Sequence, residues 1–287
     1  MSKPEIAYVN GEFVPIADAR VSVLDRGFLF ADGIYEVSAL VNGRLVDNDA
    51  HMKRLERSLG ELQLASPVPV ASIPGLMEEL VRREEIQEGM VYLQITRGAD
   101  TSRNFSYPDP SVVPSSLVMF VQERNMLTCP VAERGGRAIT IPDIRWRRRD
   151  IKSVALLPQA MGKQMAKMAG VDEALMVEDG FINEGTSSSA GIITANDELI
   201  VPPVTNDILD SITRRAMLKL LEETSLRLVE RKFTPDEAYA AKEAFVASAT
   251  ALVLPIVEID GNPIDDGKPG EYVPRLRKLY FEEFCSL

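Results

Sequence analysis

Histidine is almost missing from this chain: His51 is the single one in 287 residues. One imidazole excludes a multi-histidine zinc site, and any Ser-His-Asp triad would have to use that residue. Cysteine is nearly as scarce. Cys129 and Cys285 cannot build a disulfide framework or a cysteine-based metal site, and they fit a reducing cytoplasm. No run of about 18 apolar residues occurs, so no membrane span is expected. The stretch MSKPEIAYVNGEFV lacks a basic region followed by an apolar core, so no signal peptide is expected. Basic residues are outnumbered, 32 against 43, for a formal charge of −11. The one dense basic run, Arg145-Trp146-Arg147-Arg148-Arg149, is too short for a nucleic-acid footprint. There is no internal repeat and no low-complexity segment. In an enzyme of this composition, acid–base work falls to lysine, tyrosine or a carboxylate.

What is present is an ordinary globular balance, 45% hydrophobic and 26% charged. The length suits two domains or one large one. Asn10-Gly11, Asn42-Gly43 and Asp179-Gly180 each separate two apolar runs. Such dipeptides predict hairpins, because a type I′ turn needs positive φ at both central positions. Apolar residues at helical spacing, Met52, Leu55, Leu59 and Leu62, predict a helix over 48–64. Further helices are predicted over 73–86, 205–223 and 273–284. Val91-Tyr92-Leu93-Gln94-Ile95-Thr96 and Ser116-Leu117-Val118-Met119-Phe120-Val121 read as buried strands around a polar loop, 97–115. Thr234-Pro235-Asp236-Glu237 is a capping box with proline at the first helical position. Strands and helices mix without regular βαβ alternation, which favours α+β over a doubly wound sheet. A change of texture near Arg124 divides the chain into a domain over 1–121, an interdomain loop over 122–135 and a domain over 136–287.

Four segments have residue types suited to chemistry. Lys152 stands among apolar neighbours in Asp150-Ile151-Lys152-Ser153-Val154-Ala155, where a lysine becomes a nucleophile toward carbonyls; the plain alternative is a lysine whose head reaches solvent. Glu184 follows a strand and precedes Gly185-Thr186-Ser187-Ser188-Ser189. A carboxylate there could keep a pyridine nitrogen protonated, and the loop could bind an anion; otherwise it is an exposed polar turn. Ser211-Ile212-Thr213-Arg214 lies at or near a helix start, where a phosphate would meet free N–H groups and the positive dipole end. Ser248-Ala249-Thr250 offers hydroxyls after a strand. The last two segments are equally consistent with an ordinary first turn and a polar strand end. None of the four is a metal-ligand pattern.

In this order, and together with Tyr8-Val9-Asn10-Gly11, Leu24-Asp25-Arg26-Gly27-Phe28-Leu29-Phe30-Ala31-Asp32-Gly33-Ile34-Tyr35-Glu36 and His51-Met52-Lys53-Arg54-Leu55, these segments resemble the fold-type IV, pyridoxal-phosphate-dependent aminotransferases. Ordered matches along nearly the whole chain are hard to obtain by chance. The resemblance implies a small N-terminal α/β domain, a larger C-terminal pseudo-barrel domain, pyridoxal 5'-phosphate as cofactor and a homodimer. It implies that Lys152 carries the cofactor as an internal aldimine and shuttles the proton. By the same resemblance Glu184 pairs with the ring nitrogen, Arg145 contacts the ring hydroxyl, and Arg54 holds the phosphate. Ile212 and Thr213 offer their amides to that phosphate, with Ser187 and Ser188 in the neighbouring loop. His51 then reads as helix packing beside Arg54. Two departures stand out: the phosphate-side threonine of many members falls at Ala249, so that role passes to Thr250, and Ser189 stands where asparagine is common.

Within the family, Tyr92-Leu93-Gln94-Ile95-Thr96-Arg97-Gly98 followed by Arg103-Asn104-Phe105-Ser106-Tyr107-Pro108 resembles most the D-amino acid aminotransferases. There an arginine, a histidine two residues on and a tyrosine grip the substrate carboxylate. Arg103 and Tyr35 match two of these, and Phe105 replaces the histidine. The expected reaction is transamination between a D-amino acid and a 2-oxo acid. An (R)-selective amine transaminase and a branched-chain L-amino acid aminotransferase are the alternatives, and a catalytically silent cofactor-binding scaffold is the alternative of another class.

Overall fold

The computed structural model describes residues 5–285; the outermost positions of the two expected domains, 1–4 and 286–287, lie outside them. The packing separates two units, Met1–Met126 with Ile151–Ala155, and Leu127–Asp150 with Leu156–Leu287. The segment that contains Lys152 thus belongs with the first unit, although it follows a stretch of the second. The expected interdomain loop 122–135 contains the end of a strand and a short helix, given below.

The first unit contains β1 (Ile6–Val9), β2 (Glu12–Pro15), α1 (Arg26–Phe30), β3 (Gly33–Val41), β4 (Arg44–Leu45), α2 (Asn48–Glu61), α3 (Ile73–Glu84), β5 (Gly89–Thr96) and β6 (Ser116–Glu123). The strands form one antiparallel sheet in the order β2-β1-β6-β5-β3-β4. Asn10 and Gly11, and likewise Asn42 and Gly43, take positive φ, as two-residue hairpin turns require. Met52, Leu55 and Leu59 of α2 and Ile73, Met77 and Leu80 of α3 pack with Ile34, Leu40, Leu93 and Met119 of the sheet in one core. β4 pairs only with Leu40 and Val41, so the beginning of β3 keeps an open edge. The Ile151–Ala155 segment fills it: the Tyr35 amide donates to the Lys152 carbonyl (3.0 Å) and the Val154 amide to the Gly33 carbonyl (3.1 Å). Otherwise-unpaired backbone groups of the strand are satisfied in this way.

The second unit contains α4 (Pro130–Arg134), β7 (Gly136–Pro142), α5 (Leu157–Met168), β8 (Glu173–Glu178), β9 (Phe181–Gly185), β10 (Ser189–Ile193), β11 (Glu198–Val201), α6 (Ile212–Lys219), β12 (Arg227–Glu230), α7 (Pro235–Tyr239), β13 (Glu243–Ser248), β14 (Leu252–Ile259), β15 (Asn262–Pro263) and α8 (Tyr272–Phe284). Its strands run β12-β11-β10-β13-β14-β7-β8-β9, and β9 pairs again with β10 through Ser189 and Glu184. That last pairing closes β10, β13, β14, β7, β8 and β9 into a ring, the expected pseudo-barrel. Ala138, Leu175, Ile192, Val246 and Ile256 fill it. The capping box at Thr234 and Glu237 forms, with both reciprocal bonds.

The helix expected over 205–223 is shorter. Thr205 turns back through its hydroxyl to the Asp207 amide, and the Leu209 amide donates to the Glu184 side chain instead of to a helical carbonyl. Helix α6 starts only after Ser211, whose side chain accepts from the Arg214 amide, and a 3-10 turn, Leu220–Glu223, follows it. The mixed α+β architecture expected from the sequence is the one observed.

Candidate active site

In the first unit the candidate residues gather around β3. Alternation along a strand sends neighbouring side chains to opposite faces, and Tyr35 and Glu36 part company in this way. On one face the Lys152 ammonium lies 4.2 Å from the centre of the Tyr35 ring. Tyr35 stacks on Tyr92 at 5.7 Å, and Tyr92 on Phe120 at 4.9 Å. Burial, and secondarily Tyr35, push the Tyr92 phenol up to about 12. Within this unit, among the described residues, no carboxylate pairs with Lys152.

On the other face α2 lies against β3 and brings His51 and Arg54 onto Glu36. Arg54 Nε and Nη2 donate to the two Glu36 oxygens at 2.8 Å each, and His51 Nδ1 lies 2.8 Å from Glu36 Oε2. All three are buried. Burial pushes the Glu36 carboxyl up, but the charge and hydrogen bonds of Arg54, helped by His51, hold it at about 2. Burial lowers the His51 imidazole, against the opposing pull of Glu36 and with smaller contributions from Arg54 and Lys152. His51 is therefore a buried hydrogen-bonding partner of the carboxylate beside Arg54.

Arg103 and Phe105 sit on the exposed loop between β5 and β6. The Arg103 guanidinium lies over the rings of Phe30 (4.9 Å) and Phe105 (5.0 Å). No hydrogen bond, ion pair or ring contact joins Arg103 to Tyr35, so within one chain the structure does not bring these two together.

In the second unit Glu184, at the end of β9, is 4% exposed. Its Oε2 accepts from Arg145 Nη1 at 2.6 Å and its Oε1 from the Leu209 amide at 3.1 Å. Asp143 takes the rest of the Arg145 fork, from Nε at 2.9 Å and Nη2 at 2.7 Å, and a further bond from Asn183 Nδ2 at 3.1 Å. Burial raises the Glu184 carboxyl above its ordinary range; the Arg145 charge and hydrogen bond only partly offset it, and Asp143 adds to it. Burial would lower Arg145, but its two carboxylates carry it above the ordinary guanidinium range.

The turn after Glu184 is pinned by Glu173, which accepts from Thr186 Oγ1 (2.6 Å) and Ser188 Oγ (3.2 Å) and pairs with Lys163 (3.1 Å). A Cβ on residue 185 would meet Ser188 Oγ at 2.3 Å, so any larger residue than Gly185 would push that hydroxyl away from Glu173. Ser188 is thus committed to Glu173, Ser187 is exposed at the tip, and the buried Ser189 hydroxyl has no partner among the described residues. At the start of α6 the Arg214 and Arg215 amides are taken by Ser211. The first two amides, those of Ile212 and Thr213, find no acceptor among the described residues, as the opening of a helix leaves them. Ser248 closes its turn by accepting from the Ala251 amide at 3.1 Å; half-buried Thr250 makes no such bond.

These observations test the fit of a pyridine ring with a phosphate arm. A buried carboxylate held on edge by an arginine suits a ring nitrogen, and two acceptor-less amides at a helix N-terminus suit an anion. Ser189, opposite Glu184 in the pairing of β9 with β10, keeps a buried hydroxyl without a partner among the described residues. The donor set fits.

Residues 33–259 match the family described as Amino-transferase class IV. The chain belongs to the class IV aminotransferases. This class IV aminotransferase is 36% identical, over 98% of both chains, to D-alanine aminotransferase of Staphylococcus aureus (strain MSSA476). It is 37% identical to D-alanine aminotransferase of Bacillus licheniformis, over 91% of this chain and 90% of that one. Its fold is that of the branched-chain amino acid aminotransferase of Escherichia coli: TM-score 0.89, 20% identity, covering 98% of this chain and 95% of the other. Sequence reasoning includes Glu36 only within a motif and misses Asp143 and Glu173. Asp143 carries a weak signal, its spacing of two from Arg145. Glu173 carries none, since its partners Thr186 and Ser188 come from a different strand end.

Proposed function

We propose that this enzyme transfers an amino group between a D-amino acid of the D-alanine class and a 2-oxo acid, with pyridoxal 5'-phosphate as its cofactor. The observation that carries the reading is the buried Glu184 carboxylate, held by Arg145 on one oxygen and by the Leu209 amide on the other, just ahead of the acceptor-less amides of Ile212 and Thr213. The names of the relatives support the substrate class. When bound, the pyridine ring supplies an electron sink for the carbon that loses its proton.

The chain's own residues do the rest. We assign to Lys152 the amine that holds the cofactor and takes and returns the proton at the substrate Cα. Glu184 would keep the ring nitrogen protonated, and Arg145, which bonds Glu184, would contact the ring hydroxyl. Ile212 and Thr213 give their amides to the phosphate, with Arg54, Ser187 and Thr250 as its other partners; Ser188, expected beside them, gives its hydroxyl to Glu173 and holds the turn instead. Tyr35 and Arg103 take the substrate carboxylate, and Phe105 leaves that trap one donor short. A homodimer is the assembly the family resemblance supports. The cytoplasm is the compartment that the free Cys129 and Cys285 fit.

A donor screen with pyruvate and 2-oxoglutarate tests the function. D-alanine or D-glutamate is the expected donor. Preference for L-leucine or for (R)-1-phenylethylamine would replace the reading by the branched-chain or the amine one. Lys152→Ala should lose both visible absorbance and turnover while the protein stays folded; full turnover without Lys152 would overturn the assignment.

A further inference from the structure

The loop between β5 and β6 is long and exposed from 101 to 107, yet it has a defined course. Connections of this length without their own secondary structure are uncommon and lose much chain entropy when ordered. Between 101 and 107 little apolar burial is available to offset that loss: Phe105 is 74% and Tyr107 55% exposed. What holds the loop is Arg26, the first residue of α1, itself 3% exposed. Its Nη1 donates to the carbonyls of Asn104 and Ser106 and its Nη2 to that of Phe105. One planar fork therefore spans three successive peptide carbonyls.

The fork is itself fixed. Arg26 Nε donates to Asp32 Oδ2 at 2.7 Å, and its plane lies over Phe30 at 4.8 Å. Asp32 is shared with Arg97, which bonds the Leu62 and Gln63 carbonyls and lies 3.5 Å from the Tyr107 ring centre. Arg97 therefore anchors the far end of the segment, and Arg26 its middle. The residue immediately before the clamped peptides is Arg103.

We propose that Arg26 is a positioning residue for substrate selection: by clamping the backbone of residues 104–106 it fixes the direction in which Arg103 is presented to a carboxylate. The inference rests on the reading of Arg103 as a carboxylate-binding residue. A lysine at position 26 would keep the charge and the Asp32 pair but has no rigid fork to bridge three carbonyls.

Arg26→Lys and Arg103→Ala, singly and combined, test it, with hydrogen exchange of residues 104–107 beside kinetics on D-alanine and pyruvate. Arg26→Gln serves if Arg26→Lys does not fold. In the Arg26 variant, loop exchange should accelerate about ten-fold or more while the β3 and β5 amides stay protected. The D-alanine KM should rise about ten-fold with little change in kcat, as for lost contacts to a charged group. The double variant should be no worse than Arg103→Ala. Unchanged loop exchange, or a loosened loop with an unchanged KM, overturns the clamp. A D-alanine KM that Arg103→Ala leaves unchanged overturns the carboxylate reading on which it rests, and the presentation of Arg103 with it.

Discussion

Arg145 holds two carboxylates with one guanidinium: Nη1 on Glu184 at 2.6 Å, Nε and Nη2 on Asp143 at 2.9 and 2.7 Å. Because Asp143 takes a parallel pair of donors, the fork cannot swing round to take Glu184 in the same way. Glu184 is left with a single bond from the arginine and one oxygen facing the Leu209 amide. A carboxylate so held stays available to a second cation, which is what a protonated ring nitrogen requires of it.

Glu184→Gln should therefore keep the cofactor but slow the proton step. Gln can still accept from Leu209, but it cannot hold a proton on the ring nitrogen. Losing a bond to a charged group is worth roughly 1.5–3 kcal/mol, or about ten- to a hundred-fold in rate. Single-turnover rates with D-alanine measure this; an unchanged rate would assign the task to another group.

Arg54→Ala should do two separable things. It strands the buried Glu36 charge, which costs about 3–5 kcal/mol of stability, and it weakens retention of the cofactor phosphate. Adding Glu36→Gln should recover most of the stability, read as thermal midpoint, without recovering cofactor retention through dialysis. A double variant that keeps its cofactor would reduce Arg54 to a partner of Glu36.

Glu36 should also mark the acid limb of stability. Its folded value of about 2 lies below its ordinary 4.5, so it contributes stability above pH 4.5 that disappears as the pH falls toward 2. The shift corresponds to about 3 kcal/mol. Denaturant titrations between pH 6 and 2 should show a flatter decline in Glu36→Gln than in the parent. Parallel curves would mean that the unfolded state shares the shift.

Arg103→Ala should raise the D-alanine KM about ten- to a hundred-fold, since the proposed carboxylate trap, with Phe105 in place of a second donor, has Arg103 as its main cation. Turnover of (R)-1-phenylethylamine, which has no carboxylate, should barely respond, and Phe105→His should tighten D-alanine binding. A D-alanine KM within about two-fold of the parent, some 0.4 kcal/mol, would show that the loop makes no substrate contact.

The parts of this protein settled by sequence alone are those whose geometry depends on adjacent residues. Asn10-Gly11, Asn42-Gly43 and Asp179-Gly180 take positive φ and turn their hairpins, because only such residues enter that region cheaply. Thr234 and Glu237 cap their helix reciprocally for the same local reason. The ordered motifs marked Lys152, Glu184 and Arg54 as a set. Tertiary structure decided which groups those side chains meet. Ile151–Ala155 joins β3 because β4 is too short to cover that edge, and 205–211 is not helical because the Leu209 amide is drawn to Glu184. Glu36, Asp143 and Glu173 became the anchors of Arg54, Arg145 and the Thr186–Ser188 turn. Glu36 with Arg54 and Glu173 with Thr186 join residues distant in sequence, and Asp143, only two residues from Arg145, shares that arginine with Glu184 from another strand; a buried charge finds its partner only when the chain that carries that partner has packed against it.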